Sequence, residues 1–201
     1  MSTLLPIFPL DAVLLPGAAL PLHVFEPRYK EMIAECLTAK TPFGVVRARE
    51  EGVAEIGCTA EILRVAKKYE DGRLDIVTEG RRRFEVMEVN QERSFLRAEV
   101  FYLNDEAGRA DAAEIRRAMK LYTEIMTLGG GEAAASEGDE MLSYKLAGSL
   151  PLDLDFKQTL LGINSEGERL GALITSFETI LPNLRRTVLV RKRAGGNGHV
   201  H

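Results

Sequence analysis

The stretch Phe8-Pro9-Leu10-Asp11, then Leu15-Pro16-Gly17, then Leu20-Pro21-Leu22-His23-Val24-Phe25-Glu26-Pro27-Arg28-Tyr29 decides how the rest of this chain is read. Its four prolines punctuate short apolar runs. Proline fixes φ and removes a backbone donor, so these breaks forbid one continuous helix. They suit two or three short strands over residues 4–25, with Pro16-Gly17 as a turn. Pro27 then opens a helix at the first helical position, where its missing N–H costs nothing.

The same stretch imitates an export signal, which needs a basic start and an unbroken apolar run. No Lys or Arg precedes Arg28, and Pro6, Pro9, Asp11 and Pro16 cut the run. No segment reaches the roughly 18 apolar residues of a membrane span. The expectation is a folded N-terminus in a cytoplasmic protein.

Working outward, Tyr29, Met32, Ile33, Cys36 and Leu37 recur at helical spacing, so the first helix runs to about Thr38. Phe43-Gly44-Val45-Val46 reads as a strand. Residues 53–103 hold short runs with strand character, among them Ala60–Val65, Leu74–Val77, Arg83–Val89 and Phe95–Tyr102. Asp71-Gly72 marks a hairpin between the first two, and Gly80 separates the next. This spacing fits a barrel or a sandwich, with the helix covering one end.

The pattern changes near Asn104-Asp105-Glu106. A long helix is predicted from Asp111 to Leu128, ended by Gly129-Gly130-Gly131. A second spans Asp139–Ser149, and Asp155 is the expected cap of a third, with Gln158 at its N3 position. Ser165-Glu166-Gly167-Glu168 is a capping box. The helix behind it places Leu170, Leu173, Ile174, Phe177, Ile180 and Leu181 on one stripe and stops at Pro182. Thr187–Val190 reads as strand or coil. The chain divides into a β-rich part with one helix, 1–105, a helical part, 106–190, and a flexible basic tail, 191–201.

With 201 residues, 45% hydrophobic and 28% charged, the chain can bury a core without a metal or disulfide staple. Its net charge of −4, with neither half basic, argues against a dedicated nucleic-acid binder. Cys36 and Cys58 read as small core residues in a reducing compartment.

Candidate reactive groups are few. His23 could pair with either cysteine as a nucleophile, but no third, orienting group is evident. His199 and His201 offer at most a two-ligand metal site on a glycine-rich tail. Arg81-Arg82-Arg83 could contact an anion or a nucleic acid; alternatively its arginines reach solvent and pair with Glu79 and Glu85. Glu26 favours the positive end of the first helix.

Several of these motifs coincide in one family. Residues 1–190 resemble the LON substrate-binding domain, the N-terminal region of the ATP-dependent Lon protease, and in particular small bacterial proteins made of that domain alone. The resemblance rests on Ile7-Phe8-Pro9-Leu10, the Leu15-Pro16-Gly17 turn, Leu20 through Tyr29, Pro42 through Val46, Ile56 through Ala60, and Gly80 through Phe84. Phe156-Lys157-Gln158-Thr159-Leu160-Leu161 and Arg169-Leu170 continue it.

The resemblance implies an α+β protein, a PUA-like β-barrel followed by an α-helical bundle. It also implies a non-enzymatic role in binding unfolded or partly folded polypeptides, as an adaptor or substrate recogniser for an ATP-dependent protease, without a cofactor or a membrane. Proteolysis would need a phosphate-cradling Gly-x-x-x-x-Gly-Lys-Ser/Thr loop, and no lysine follows the triglycine here. An RNA-binding PUA-like module is the alternative. The binding surface is expected to be apolar, between barrel and bundle, drawing on Phe25, Arg28 and Tyr29, and on Met119, Tyr122, Met126 and Phe177. Bundle core is the competing explanation for the last four.

Overall fold

A computed structural model describes residues 3–106 and 110–195, the side chains of residue 3 and residues 192–195 excepted. The chain forms two compact units. One comprises residues up to Asp105 together with Leu150–Asn164; the other comprises Glu106–Ser149 and residues from Ser165 onward.

The first unit is built on six strands: β1 (Thr3–Leu10), β2 (Ala19–Val24), β3 (Phe43–Arg47), β4 (Ile56–Lys68), β5 (Leu74–Asn90) and β6 (Arg97–Tyr102). Their order is β2-β5-β4-β3-β1-β6, and a further β5–β6 pairing closes five of them into a barrel. β1 runs parallel to β3 and antiparallel to β6, giving its second half to one neighbour and its first half to the other. Pro6 and Pro9 are tolerated in such a strand because neither neighbour pairs with it along its whole length.

Closure depends on β5, which is one strand of 17 residues rather than two. One edge pairs with β4; the other pairs first with β2 and then with β6. Gly80 marks the change of partner. A Cβ there would sit 2.2 Å from the Leu15 carbonyl oxygen, so only glycine lets the buried Leu14-Leu15 segment lie against the strand. Gly80 N–H donates to the Ala18 carbonyl at 2.9 Å and its own carbonyl accepts from Gly17 N–H at 2.8 Å. Gly17 holds the predicted turn at φ +76°. Inside, Leu5, Ile7, Val46, Phe84 and Ala98 form a buried cluster.

Helix α1 (Pro27–Ala39) begins at Pro27 as expected and buries Tyr29, Met32, Ile33 and Cys36. That spacing is one face of a helix, and full burial of such side chains contributes roughly 1.5–3 kcal/mol each. The Tyr29 ring stacks on Phe8 with centroids 4.0 Å apart, fixing the helix start to β1. Lys40, in the left-handed conformation, closes the helix by donating its N–H to the Cys36 carbonyl.

Among the described residues, α2 (Ala112–Gly129), α3 (Leu142–Gly148), α4 (Leu154–Gly162) and α5 (Glu166–Gly195) follow. α2 starts at its cap Asp111, whose side chain accepts from Ala113 N–H, and ends at Gly130 in the left-handed region. Three expectations need correction. The cap of α4 is Asp153, whose carboxylate accepts from Asp155 and Phe156 N–H; Asp155, released from capping, bonds Arg47 at 2.5 Å. Residues 150–164, read as part of the helical subdomain 106–190, pack with the barrel unit, where Gln158 donates to the Ile56 carbonyl at 2.9 Å.

The third concerns Pro182, which does not end α5. It lies inside the helix, which continues through Thr187–Val190 to Gly195. Pro182 is exposed, with buried Leu181 beside it, and Arg185 holds Glu124 of α2 through two nitrogens at 2.6 and 2.9 Å. The helix thus continues past a residue that deletes one of its hydrogen bonds, with an ion pair to α2 just beyond it. The first five residues of the expected tail 191–201 are thus helical; the remainder lies outside the described residues.

Candidate polypeptide-binding surface

Three large apolar side chains on neighbouring strands of the barrel face outward. Strand alternation in β6 turns Ala98, Val100 and Tyr102 toward the core and Arg97, Glu99 and Phe101 outward. Phe101 is 62% exposed. It pairs with Glu85 of β5, two residues before Met87, which is 64% exposed at a bulge between Val86 and Glu88. On the other flank Leu4, 46% exposed, pairs with Glu99, two residues before Phe101. Diagonal neighbours on one face of a sheet lie within reach of large side chains. Leu4, Phe101 and Met87 therefore form an apolar band on one outer face of β1, β6 and β5, interspersed with Glu85, Glu88 and Glu99.

Sequence reasoning missed this band. Its only signal was a phenylalanine in the polar register of β6, and register cannot be told before the strand ends are known.

The residues expected at the surface divide. Phe25 is 58% exposed, just before α1. Arg28 is exposed, bonds Glu26 through Nε at 2.9 Å and lies 4.6 Å over the Tyr29 ring. Tyr29 itself is buried beneath it. Met119 and Met126 are half-buried on α2. Tyr122 and Phe177 are fully buried and belong to the core of the helical unit, not to a surface. They fall in the middle of the apolar stripes of α2 and α5, and Ser149 Oγ lies 3.0 Å from the Tyr122 hydroxyl.

The arginine run resolves into three different roles. Arg81 bonds Glu61 at 2.5 Å and Glu79 at 2.6 Å. Arg82 lies 4.2 Å over the Tyr102 ring. Arg83, expected to splay outward, is 3% exposed; it donates to the carbonyls of Leu161 and Ile163 and to Asp105. Such a run offers no continuous track for a phosphate backbone.

His23 faces neither cysteine as a partner. Its Nδ1 lies 2.5 Å from Asp75 Oδ1, and the Tyr69 hydroxyl donates to the other oxygen at 2.8 Å. These contacts hold the Asp75 carboxyl below its usual range. Burial pushes the Cys36 thiol up to about 11 and the Cys58 thiol up to about 12, so neither is a thiolate nucleophile at neutral pH. Among the described residues no group of three His, Cys, Asp or Glu side chains could hold a metal, and His199 and His201 lie outside the described residues. No described helix is long and apolar enough to cross a membrane.

A small mixed-sheet barrel with a separate helical unit defines an α+β class of protein. Comparison with known proteins places it further. The family described as the ATP-dependent protease La (LON) substrate-binding domain matches residues 4–177, and the chain belongs to that family.

The solved Lon N-terminal domain protein from Xanthomonas campestris superposes with a TM-score of 0.71 at 29% identity, covering 86% of this chain and 98% of that one. The N-terminal domain of a Mycobacterium avium complex Lon protease gives 0.65 at 17% identity, covering 88% and 98% of the two chains, which supports the fold alone. Among curated relatives, the Lon protease of Parabacteroides distasonis is 32% identical over 110 residues, 50% of this chain and 13% of that protein. The Lon protease of Flavobacterium johnsoniae is 26% identical over 185 residues, 82% of this chain and 22% of that protein. The chain thus spans about a quarter or less of the length of these proteases.

Proposed function

We propose that this chain is a non-enzymatic, cytoplasmic module that binds unfolded or partly folded polypeptides and presents them to an ATP-dependent protease. The observation that carries this reading is the apolar band of Leu4, Met87 and Phe101 on the outer face of the barrel. Exposed, adjacent apolar side chains interspersed with charge suit a partner that exposes its own apolar residues. Met87 adds an unbranched, polarizable side chain that can adapt to varied partners. Phe25 and Arg28 on the barrel unit, and Met119 and Met126 on the helical unit, are further candidate contacts. The family description, a substrate-binding domain of an ATP-dependent protease, supports the same reading.

Isothermal titration against a permanently unfolded polypeptide, reduced and carboxymethylated, tests it. Binding with a micromolar Kd is expected, and the absence of heat at high micromolar concentration would overturn it.

A further inference from the structure

A cleft of about 500 Å³ opens on the barrel unit beside the C-terminal end of α1. Its volume lies within the range of small-ligand sites. Leu37, Pro42, Ile62 and Tyr102 supply apolar walls, and Lys40, Arg81 and Arg82 face a single carboxylate, Glu61. That carboxylate is already taken by Arg81, which also bonds Glu79. Lys40 and Arg82 have no carboxylate partner among the described residues.

The Arg82 guanidinium is held by the fold rather than by an anion, and the backbone of Lys40 is fixed where α1 ends. Lys40 is the left-handed residue that closes α1, its N–H committed to the Cys36 carbonyl. The Arg82 backbone N–H donates to Thr59 Oγ1 at 2.9 Å, and its guanidinium rests on the Tyr102 face. The cleft therefore pairs two uncommitted cations with an apolar floor.

We propose that this cleft binds the C-terminal residue of a polypeptide, its free α-carboxylate between Lys40 and Arg82 and an apolar last side chain against Leu37, Pro42 and Ile62. The proposal rests on the polypeptide-binding reading and names which part of the chain is captured there. A carboxylate matches the planar fork of Arg82, and an isolated phosphate would leave the apolar walls without a partner.

The test uses a fluorescently labelled hexapeptide ending in two leucines, made as the free acid and as the C-terminal amide. Anisotropy titrations at about 0.1 M salt keep surface electrostatics moderate. The free acid is expected to bind about tenfold more tightly than the amide, the worth of a charge-assisted hydrogen bond. Arg82→Gln and Lys40→Gln should each shrink that ratio severalfold, and Arg82→Lys should restore part of it.

Equal affinity for acid and amide overturns the proposal, and if unfolded polypeptide still binds, the broader reading survives that result. An amide carrying a penultimate glutamate that binds as well as the free acid also overturns it, since any carboxylate would then serve. Free acid binding without binding of unfolded, C-terminally amidated polypeptide would sink the broader reading instead. Failure of every peptide to bind overturns the cleft proposal outright.

Discussion

Arg83 of β5 donates a hydrogen bond from its guanidinium to the main-chain carbonyl of Leu161, at 2.9 Å, near the end of α4. The same nitrogen reaches the Ile163 carbonyl at 3.2 Å, and the other terminal nitrogen meets Asp105 at 2.6 Å. One buried cation thus gathers three segments far apart in sequence: a barrel strand, the last turn of a helix, and the point where the chain leaves the barrel. Two of its acceptors are carbonyls that a helix end leaves unsatisfied.

Replacing Arg83 by methionine should therefore destabilise the protein by about 2–4 kcal/mol, because a buried guanidinium that donates to two carbonyls and a carboxylate is removed. Arg83→Lys should recover little, since an ammonium cannot span three acceptors as the fork does. Urea denaturation, read as a fall in midpoint at constant slope, checks both. A loss below about 1 kcal/mol would mean that water replaces these bonds cheaply.

Gly80 and Gly17 should respond differently to alanine. At Gly80 the added Cβ meets a main-chain oxygen at 2.2 Å, so either β5 or the Leu14-Leu15 segment must move. Overpacking of this kind costs about 3 kcal/mol or more. At Gly17 nothing lies within 4 Å and only the positive φ is strained, at about 1 kcal/mol. Thermal midpoints of the two variants should separate by several degrees, with Gly80→Ala the lower.

The buried thiols make stability fall at high pH. Burial raises Cys36 from 9.0 to about 11 and Cys58 from 9.0 to about 12, and it moves Tyr29 upward too. A raised acid favours the folded state while protonated. Its contribution is whole below pH 9 and is lost as pH rises toward 11 and 12. Urea midpoints should therefore be flat with respect to these groups up to pH 9 and decline above it. A Cys36→Ala, Cys58→Ala double variant should show a shallower decline. Neither thiol should react with a thiol reagent at pH 8 until the protein unfolds, a reaction followed by absorbance.

Phe101→Ser should weaken binding of unfolded polypeptide about five- to tenfold while changing stability by no more than about 0.5 kcal/mol, since the ring is 62% exposed. Met87→Ser should act in the same direction. Titration calorimetry and urea denaturation of the same samples separate the two effects. Unchanged affinity in a variant carrying both Phe101→Ser and Met87→Ser would remove the band from the binding surface.

Local signals in the chain were legible wherever a backbone rule acts within a few residues. Pro27 begins α1, Gly17 makes its turn, Asp111 caps α2 and Ser165 stands immediately before α5. The family motifs led to the barrel by resemblance. Capping was misplaced by two residues at α4 because Asp153 and Asp155 are equally good caps, and only the fold gives Asp155 a better partner in Arg47. Pro182 misled for a related reason. A proline costs a helix about 3 kcal/mol, and no local signal shows that α5 nevertheless continues through it. The candidate residues divided likewise: Tyr122 and Phe177 share their helical spacing with surface and core alike, and burial alone separated them.

By itself, then, the sequence determined the turns and the starts of most elements, which φ restrictions and short-range hydrogen bonds set, and its motifs led by resemblance to the family. Tertiary structure decided what depends on pairing across long separations. It joined Leu74–Asn90 into a single strand that changes partner at Gly80, and it buried Arg83 instead of splaying it. It also turned Leu4, Phe101 and Met87 onto one outer face. Strand register and barrel closure are collective properties, and no window of neighbouring residues contains them.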